Sequence, residues 1–150
     1  MKLTDFNAKL SIVCAAVGTV GAAAAKALGG WDNGVITLII FMVIDYAMGL
    51  IVAAVFKNSE KSENGGLSSR VCWVGLARKV ITLLFVVIAY RLDLLIGTDY
   101  IRTGVIISFC ASELISICEN AGLMGVPLPS VITKAIDILK NKEGNDHDDN

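Results

Sequence analysis

Asp45 stands in the middle of the apolar run "VITLIIFMVIDYAMGLIVAAVF" (35–56), and Glu113 stands inside a second run, 101–118. Ionisable groups in segments of this kind are costly in lipid. They face a bundle interior or water, and they mark function by default. Glu113, Ser116 and Asn120 recur at helical spacing and form one polar stripe, which Glu119 borders at the membrane exit. A helix with such a stripe must bury it against other helices or turn it to water, and in an oligomer copies of it could line an aqueous lumen. Asp45 and Gly49 are one turn apart, so a carboxyl and a bare patch of backbone share a face that a second helix could approach. That face could serve an oligomer contact, a pore lining or a bond within one bundle. The chemistry on offer is helix association and solvation. No nucleophile–base arrangement, phosphate loop or metal-ligand spacing occurs, and the one histidine, His147, lies in the tail. The expectation is a protein that is not an enzyme and takes no cofactor or metal.

The elements that position these groups follow from composition. The chain has 150 residues, 55% of them hydrophobic and only 18% charged, where soluble domains carry about a quarter charged. Mean hydropathy is +0.67. With a net charge of −1 and no basic stripe, nucleic acid is not an expected partner. The apolar excess sits in blocks of membrane-spanning length, about 10–28, 35–56, 75–96 and 101–118. The first block is rich in alanine and glycine. Its Gly18/Ala22 and Gly21/Ala25 pairs are small residues four apart, a spacing that permits close helix–helix approach in lipid. A secretory leader ending near Ala23–Ala25 is the competing reading of that block. The four cysteines lie in or next to apolar blocks, form no C-x-x-C pair, and read as small hydrophobes. The segment 57–70 is polar and glycine-containing, and reads as a loop.

After the fourth block, Val131, Ile132, Ala135, Ile136, Ile138 and Leu139 recur at three- and four-residue spacing, which predicts an amphipathic helix over 129–142, too short and charged to span. Residues 143–150 form an acidic tail that reads as disordered. The fold class expected is all-α: one polytopic membrane domain, 1–142, with three to four transmembrane helices plus the C-terminal amphipathic helix. Four spans with both termini in the cytoplasm put ten of the thirteen basic residues on the inner side, as the charge rule for membrane topology favours. Three spans would place the N-terminus outside.

The order Asp45-x-x-x-Gly49, then "SSRVCWVGLARK" (68–79), then "ELISICENAGLMGVPLP" (113–129) resembles the phage lysis and toxin-secretion holins of Gram-positive bacteria and their prophages. The resemblance runs from about residue 33 to about residue 140. Its most specific part is Glu113–Asn120 with Gly125, Pro127 and Pro129 downstream, supported by Gly75, Arg78 and Lys79 near a membrane boundary. It implies a protein of the bacterial cytoplasmic membrane that oligomerises, in unspecified copy number, into lesions releasing an endolysin or a toxin. Direct contact with that freight is not required. Within that frame Asp45, Gly49, Gly18 and Gly21 are expected to serve helix association, and Glu113, Ser116 and Asn120 to line a lumen. A small secondary transporter or channel, and an antiholin-like regulator, are the competing readings.

Overall fold

The computed structural model describes residues 2–56, 69–134 and 138. Among the described residues every regular element is helical: α1 (Lys2–Leu28), α2 (Asn33–Ile51), α3 (Ser69–Ile96) and α4 (Tyr100–Leu123). A π-helical turn, Val52–Phe56, extends α2. The loop expected at 57–70 falls outside the described residues except Ser69 and Arg70, which open α3. Of the expected amphipathic helix, a turn starting at Ser130 is described. Most of its remainder, and the acidic tail, lie outside.

Contacts fix the helix directions. Asp32 meets Arg102 and Asp45 meets Asn120, pairs of similar sequence separation, so α2 and α4 run parallel. Tyr46 meets Cys72 and Asp45 meets Lys79, so α3 runs opposite to α2. Lys79 meets Glu113 and Phe85 meets Phe109, whose ring centroids lie 6.2 Å apart, so α3 and α4 form an antiparallel hairpin. Leu28, Val35, Leu38, Met42, Val86 and Ile106 form the buried core of this bundle.

The outside carries many large apolar side chains. Val13, Val17 and Val20 on α1, Val43 on α2, Ile88 and Leu95 on α3 and Ile107 on α4 are exposed. Such a continuous apolar exterior is what lipid solvates. Among the described residues three helices are long and apolar enough to cross a membrane: Phe6–Leu28, Asn33–Val55 and Tyr100–Leu123. α3 is as long as any of them, but it carries Arg70, Arg78, Lys79, Arg91 and Asp93. Aromatic residues mark its ends: Trp73 is exposed at one and Tyr90 lies near the other, about 26 Å away along the axis, close to a hydrocarbon thickness.

The helix ends are closed by backbone geometry. At the end of α4, Gly125 has φ +76°. Its N–H donates to Gly122 O (2.9 Å), and the N–H of Val126 donates to Ala121 O (3.0 Å). This left-handed cap satisfies carbonyls that the helix leaves bare, and Pro127 and Pro129 then prevent the helix from resuming. α4 therefore runs beyond Cys118, its expected end, to Leu123. Glu119 and Asn120 lie within the helix.

Candidate functional site

Three helices each send one ionisable group to the same place. Lys79 of α3 donates from Nζ to Asp45 Oδ2 of α2 (2.6 Å) and also to Glu113 Oε2 of α4. Asn120, two turns beyond Glu113 on α4, donates from Nδ2 to Asp45 Oδ1 (3.0 Å). Both oxygens of Asp45 are thus held, one by a cation and one by an amide. Asp45 is 6% exposed, Glu113 9% and Asn120 6%. Ser116, between the two α4 residues, is half-buried on the same side.

The site has a definite depth. Asp45 lies about 18 Å along the axis from Asn33, and Glu113 about 20 Å from Tyr100. Lys79 lies about 9 Å from Trp73 at the other end. The network therefore sits within the apolar thickness of the bundle, towards the end where α3 begins.

At that depth the electrostatics are demanding. Two carboxylates share one ammonium, and few waters can reach them. Ions taken out of water persist only when paired with good geometry and further hydrogen bonds. Lys79 supplies the pairing and Asn120 the further bond. The neighbouring glycine of α3 helps seat the helices. A Cβ at Gly75 would lie 3.3 Å from Cε2 of Tyr46, so the missing side chain lets the Tyr46 ring of α2 lie against α3. The Tyr46 hydroxyl donates to Cys72 O (3.3 Å).

Of the residues singled out in the sequence, the structure brings together Asp45, Lys79, Glu113 and Asn120. Gly49 faces Asn120, at ordinary van der Waals range for an added Cβ (3.9 Å to Nδ2). Gly18 and Gly21 are elsewhere, on a flank of α1 where an added Cβ would meet nothing within 4 Å. Arg78, adjacent to Lys79, is exposed, and Gly125 and the two prolines terminate α4.

In the sequence Lys79 reads as a membrane-boundary residue without a partner. The usable signal is charge balance: two deep acids require a deep cation, and Lys79, like Lys57 and Arg91, directly abuts an apolar run.

A second polar cluster, also not anticipated, fastens the opposite end of the bundle. Arg102, at the start of α4, donates from Nε to Leu28 O (2.6 Å) and from Nη2 to Gly30 O (3.4 Å). Its Nη1 pairs with Asp32 Oδ2 (2.5 Å). Asp93 of α3 accepts from the N–H groups of Ile101 (3.1 Å) and Arg102 (2.8 Å) and from the Thr98 hydroxyl (2.6 Å), which caps α4. Gly29 has φ +85°, and an added Cβ there would lie 2.7 Å from the Tyr90 ring, so only glycine lets α3 approach the end of α1 this closely.

Asp32 also caps α2 by accepting from Val35 N (2.9 Å). Its carboxyl is held below the usual carboxylate value of 3.8, chiefly by the hydrogen bond from Arg102 and then by that from Val35 N. A depressed folded-state value gives stability that is fully present above the unfolded value and is lost as pH falls through the folded one. The side chain is 49% exposed, so the effect is small. We expect the stability difference between wild type and Asp32→Ala, read from denaturation in micelles, to shrink as pH is lowered from 6 through the acidic range below about 4. A difference that stays constant across that range would contradict the pairing.

Helices solvated by lipid outside and tied by buried ions inside define an α-helical integral membrane protein. A family model for the bacteriophage holin family matches residues 22–141, and the chain belongs to that family. An uncharacterized protein of Halalkalibacterium halodurans is 37% identical over 130 residues, covering 83% of this chain and 90% of the relative. An uncharacterized protein of Listeria monocytogenes is 37% identical, covering 80% of this chain and 81% of the relative. A probable holin of Bacillus phage phi105 is 30% identical over 105 residues, covering 69% of this chain and 72% of the relative. No solved structure matches the chain.

Proposed function

We infer that this chain is a holin of the bacterial cytoplasmic membrane: it oligomerises there and forms lesions that release an endolysin or a toxin and time host lysis. The observation that carries this reading is the holin-family match over 22–141, with a probable phage holin among the relatives. The geometry is compatible with it. A lipid-solvated bundle can accumulate without harm, and its polar stripe is available to water once helices rearrange among copies.

In this reading α3 crosses as well, because Asp45 and Glu113 offset the charge of Lys79. Four spans leave the N- and C-termini in the cytoplasm. Setting Lys79 aside as a network charge, nine of the ten inner basic residues still support that orientation. Asp45 and Gly49, with Gly18 and Gly21 on the open flank of α1, serve helix association. Glu113, Ser116 and Asn120 line the lumen in the assembled state.

One observation favours a second reading. An ion network linking three helices of one chain is also how a small coupled transporter would hold its ion site. Leakage by size separates the two. The protein is induced alone in a bacterium holding a folded cytoplasmic reporter enzyme, and potential, potassium and reporter outside the inner membrane are followed. Abrupt loss of potential together with release of the reporter is expected. Loss of potassium alone would reduce the lesion to a small channel, and an intact membrane would overturn the holin reading in favour of a transporter or regulator.

A further inference from the structure

In the structure the polar stripe of α4 is not turned outward. Glu113 and Asn120 are buried against α2 and α3 of their own chain, so neither can touch a shared lumen in this conformation. Something must hold α4 in this orientation and something must give before it turns. At the level of the stripe two polar links tie α4 to its neighbours, apart from the Arg102 and Asp93 bonds that fasten its other end. One runs from Glu113 to Lys79 and the other from Asn120 to Asp45.

The links are not equivalent. Asp45 has both Lys79 and Asn120. Among the described residues Lys79 is the polar partner of Glu113. If α4 releases Glu113 from Lys79, the pair left behind, Lys79 with Asp45, is electrically balanced and stays buried. The group that departs carries the one surplus negative charge of the site. A carboxylate leaving its ammonium at this depth needs water, so the release is completed only where water enters the bundle.

We propose that the Lys79–Glu113 pair is the latch of the closed chain: it keeps the stripe of α4 turned inward, and its release frees that stripe for contacts with further copies. Lys79 stays with Asp45 throughout. The latch rests on the holin reading and specifies how its opening is restrained.

The two acids that share Lys79 should then behave differently. Glu113→Gln breaks the latch yet leaves Lys79 balanced by Asp45, so the chain should insert normally and open early. Asp45→Asn leaves Lys79 balanced by Glu113 with the latch intact, so opening should keep its wild-type delay. The two acids share charge, burial and cation, and Asp45 holds a further bond from Asn120, so a merely structural role for the network would move Asp45→Asn at least as much as Glu113→Gln.

The experiment induces wild type, Glu113→Gln and Asp45→Asn separately, with membrane levels matched by quantitative blotting, in the strain holding the folded reporter. It times the loss of potential. A delay several-fold shorter for Glu113→Gln than for wild type, with Asp45→Asn close to wild type, is expected. Equal shifts in the two variants, or a wild-type delay in Glu113→Gln, overturn the latch while leaving the holin reading standing. A Glu113→Gln chain that fails to accumulate overturns the claim that Asp45 balances Lys79 without it. A wild-type chain that leaves the membrane intact overturns the holin reading, and the latch with it.

Discussion

Lys79→Met is expected to destabilise the bundle by about 3–5 kcal/mol, the loss typical when one partner of a buried ion pair is removed and its charge is left uncompensated. Here one substitution strands two carboxylates. Asp45 keeps its bond from Asn120 but loses its cation, and Glu113 loses the cation it pairs with. The Lys79 side chain is only 16% exposed, so water cannot take its place without opening the helices. The measurement is unfolding in detergent micelles, followed by helical circular dichroism, on protein purified at low temperature. The control is the triple variant Lys79→Met, Asp45→Asn, Glu113→Gln, which removes all three charges together. It should recover most of the lost stability, because apolar or neutral groups of similar size replace buried ion networks at little cost. A triple variant as unstable as Lys79→Met alone would mean that the loss comes from packing of the lysine stem, and the electrostatic account of the site would fall.

Part of this arrangement is legible in the sequence and part is not. The acids were visible as single residues because lipid makes each one expensive, whatever surrounds it. Their spacing also fixed that Glu113, Ser116 and Asn120 share a face of α4, since helical period alone decides that. What period cannot decide is which helix lies opposite. Lys79 sits beside Arg78 near a polar loop, where a lysine ordinarily marks an interface. Its direction became fixed only when α3 packed against α2 with Gly75 under the Tyr46 ring. The motif around Gly125 was recognisable as a motif, but its physical task, closing α4 in a left-handed cap, depends on a backbone angle and a hydrogen bond that residue types only suggest. For a related reason α4 runs past its expected end: Glu119 and Asn120 look like a membrane exit, yet Asn120 is buried, because its partner lies on another helix.

Arg102 gives the second large effect, and its partners are not legible in the sequence. It lies near a turn, and near a turn an arginine usually points into water. Here its guanidinium is drawn back over the end of α1. Helix C-termini leave carbonyls without partners, and the carbonyls of Leu28 and Gly30 both face the fork of donors that a planar guanidinium presents. The ion pair with Asp32 adds little by itself, because Asp32 is half exposed. The larger part comes from the charged hydrogen bond to Leu28 O, since Leu28 is a buried core residue and the Arg102 side chain is only 11% exposed. Arg102→Ala should therefore cost about 2–3 kcal/mol, in the range of a buried hydrogen bond to a charged group. The loss should be concentrated in α1, because nothing in its candidate span, Phe6–Leu28, is buried apart from its last residue, Leu28, and this end is where it is fastened. Arg102→Lys keeps the charge but not the fork, and one ammonium cannot reach the two carbonyls and the carboxylate in the same geometry, so it should recover less than half of the loss. Unfolding in micelles measures the total, and a spin label at Cys14, with the other three cysteines replaced, reports whether α1 gains motion ahead of the remaining helices. If Arg102→Lys is as stable as wild type, or if Arg102→Ala leaves the Cys14 label as ordered as before, then the fork does not hold α1 and the packing at Leu28 and Gly29 must position the helix instead.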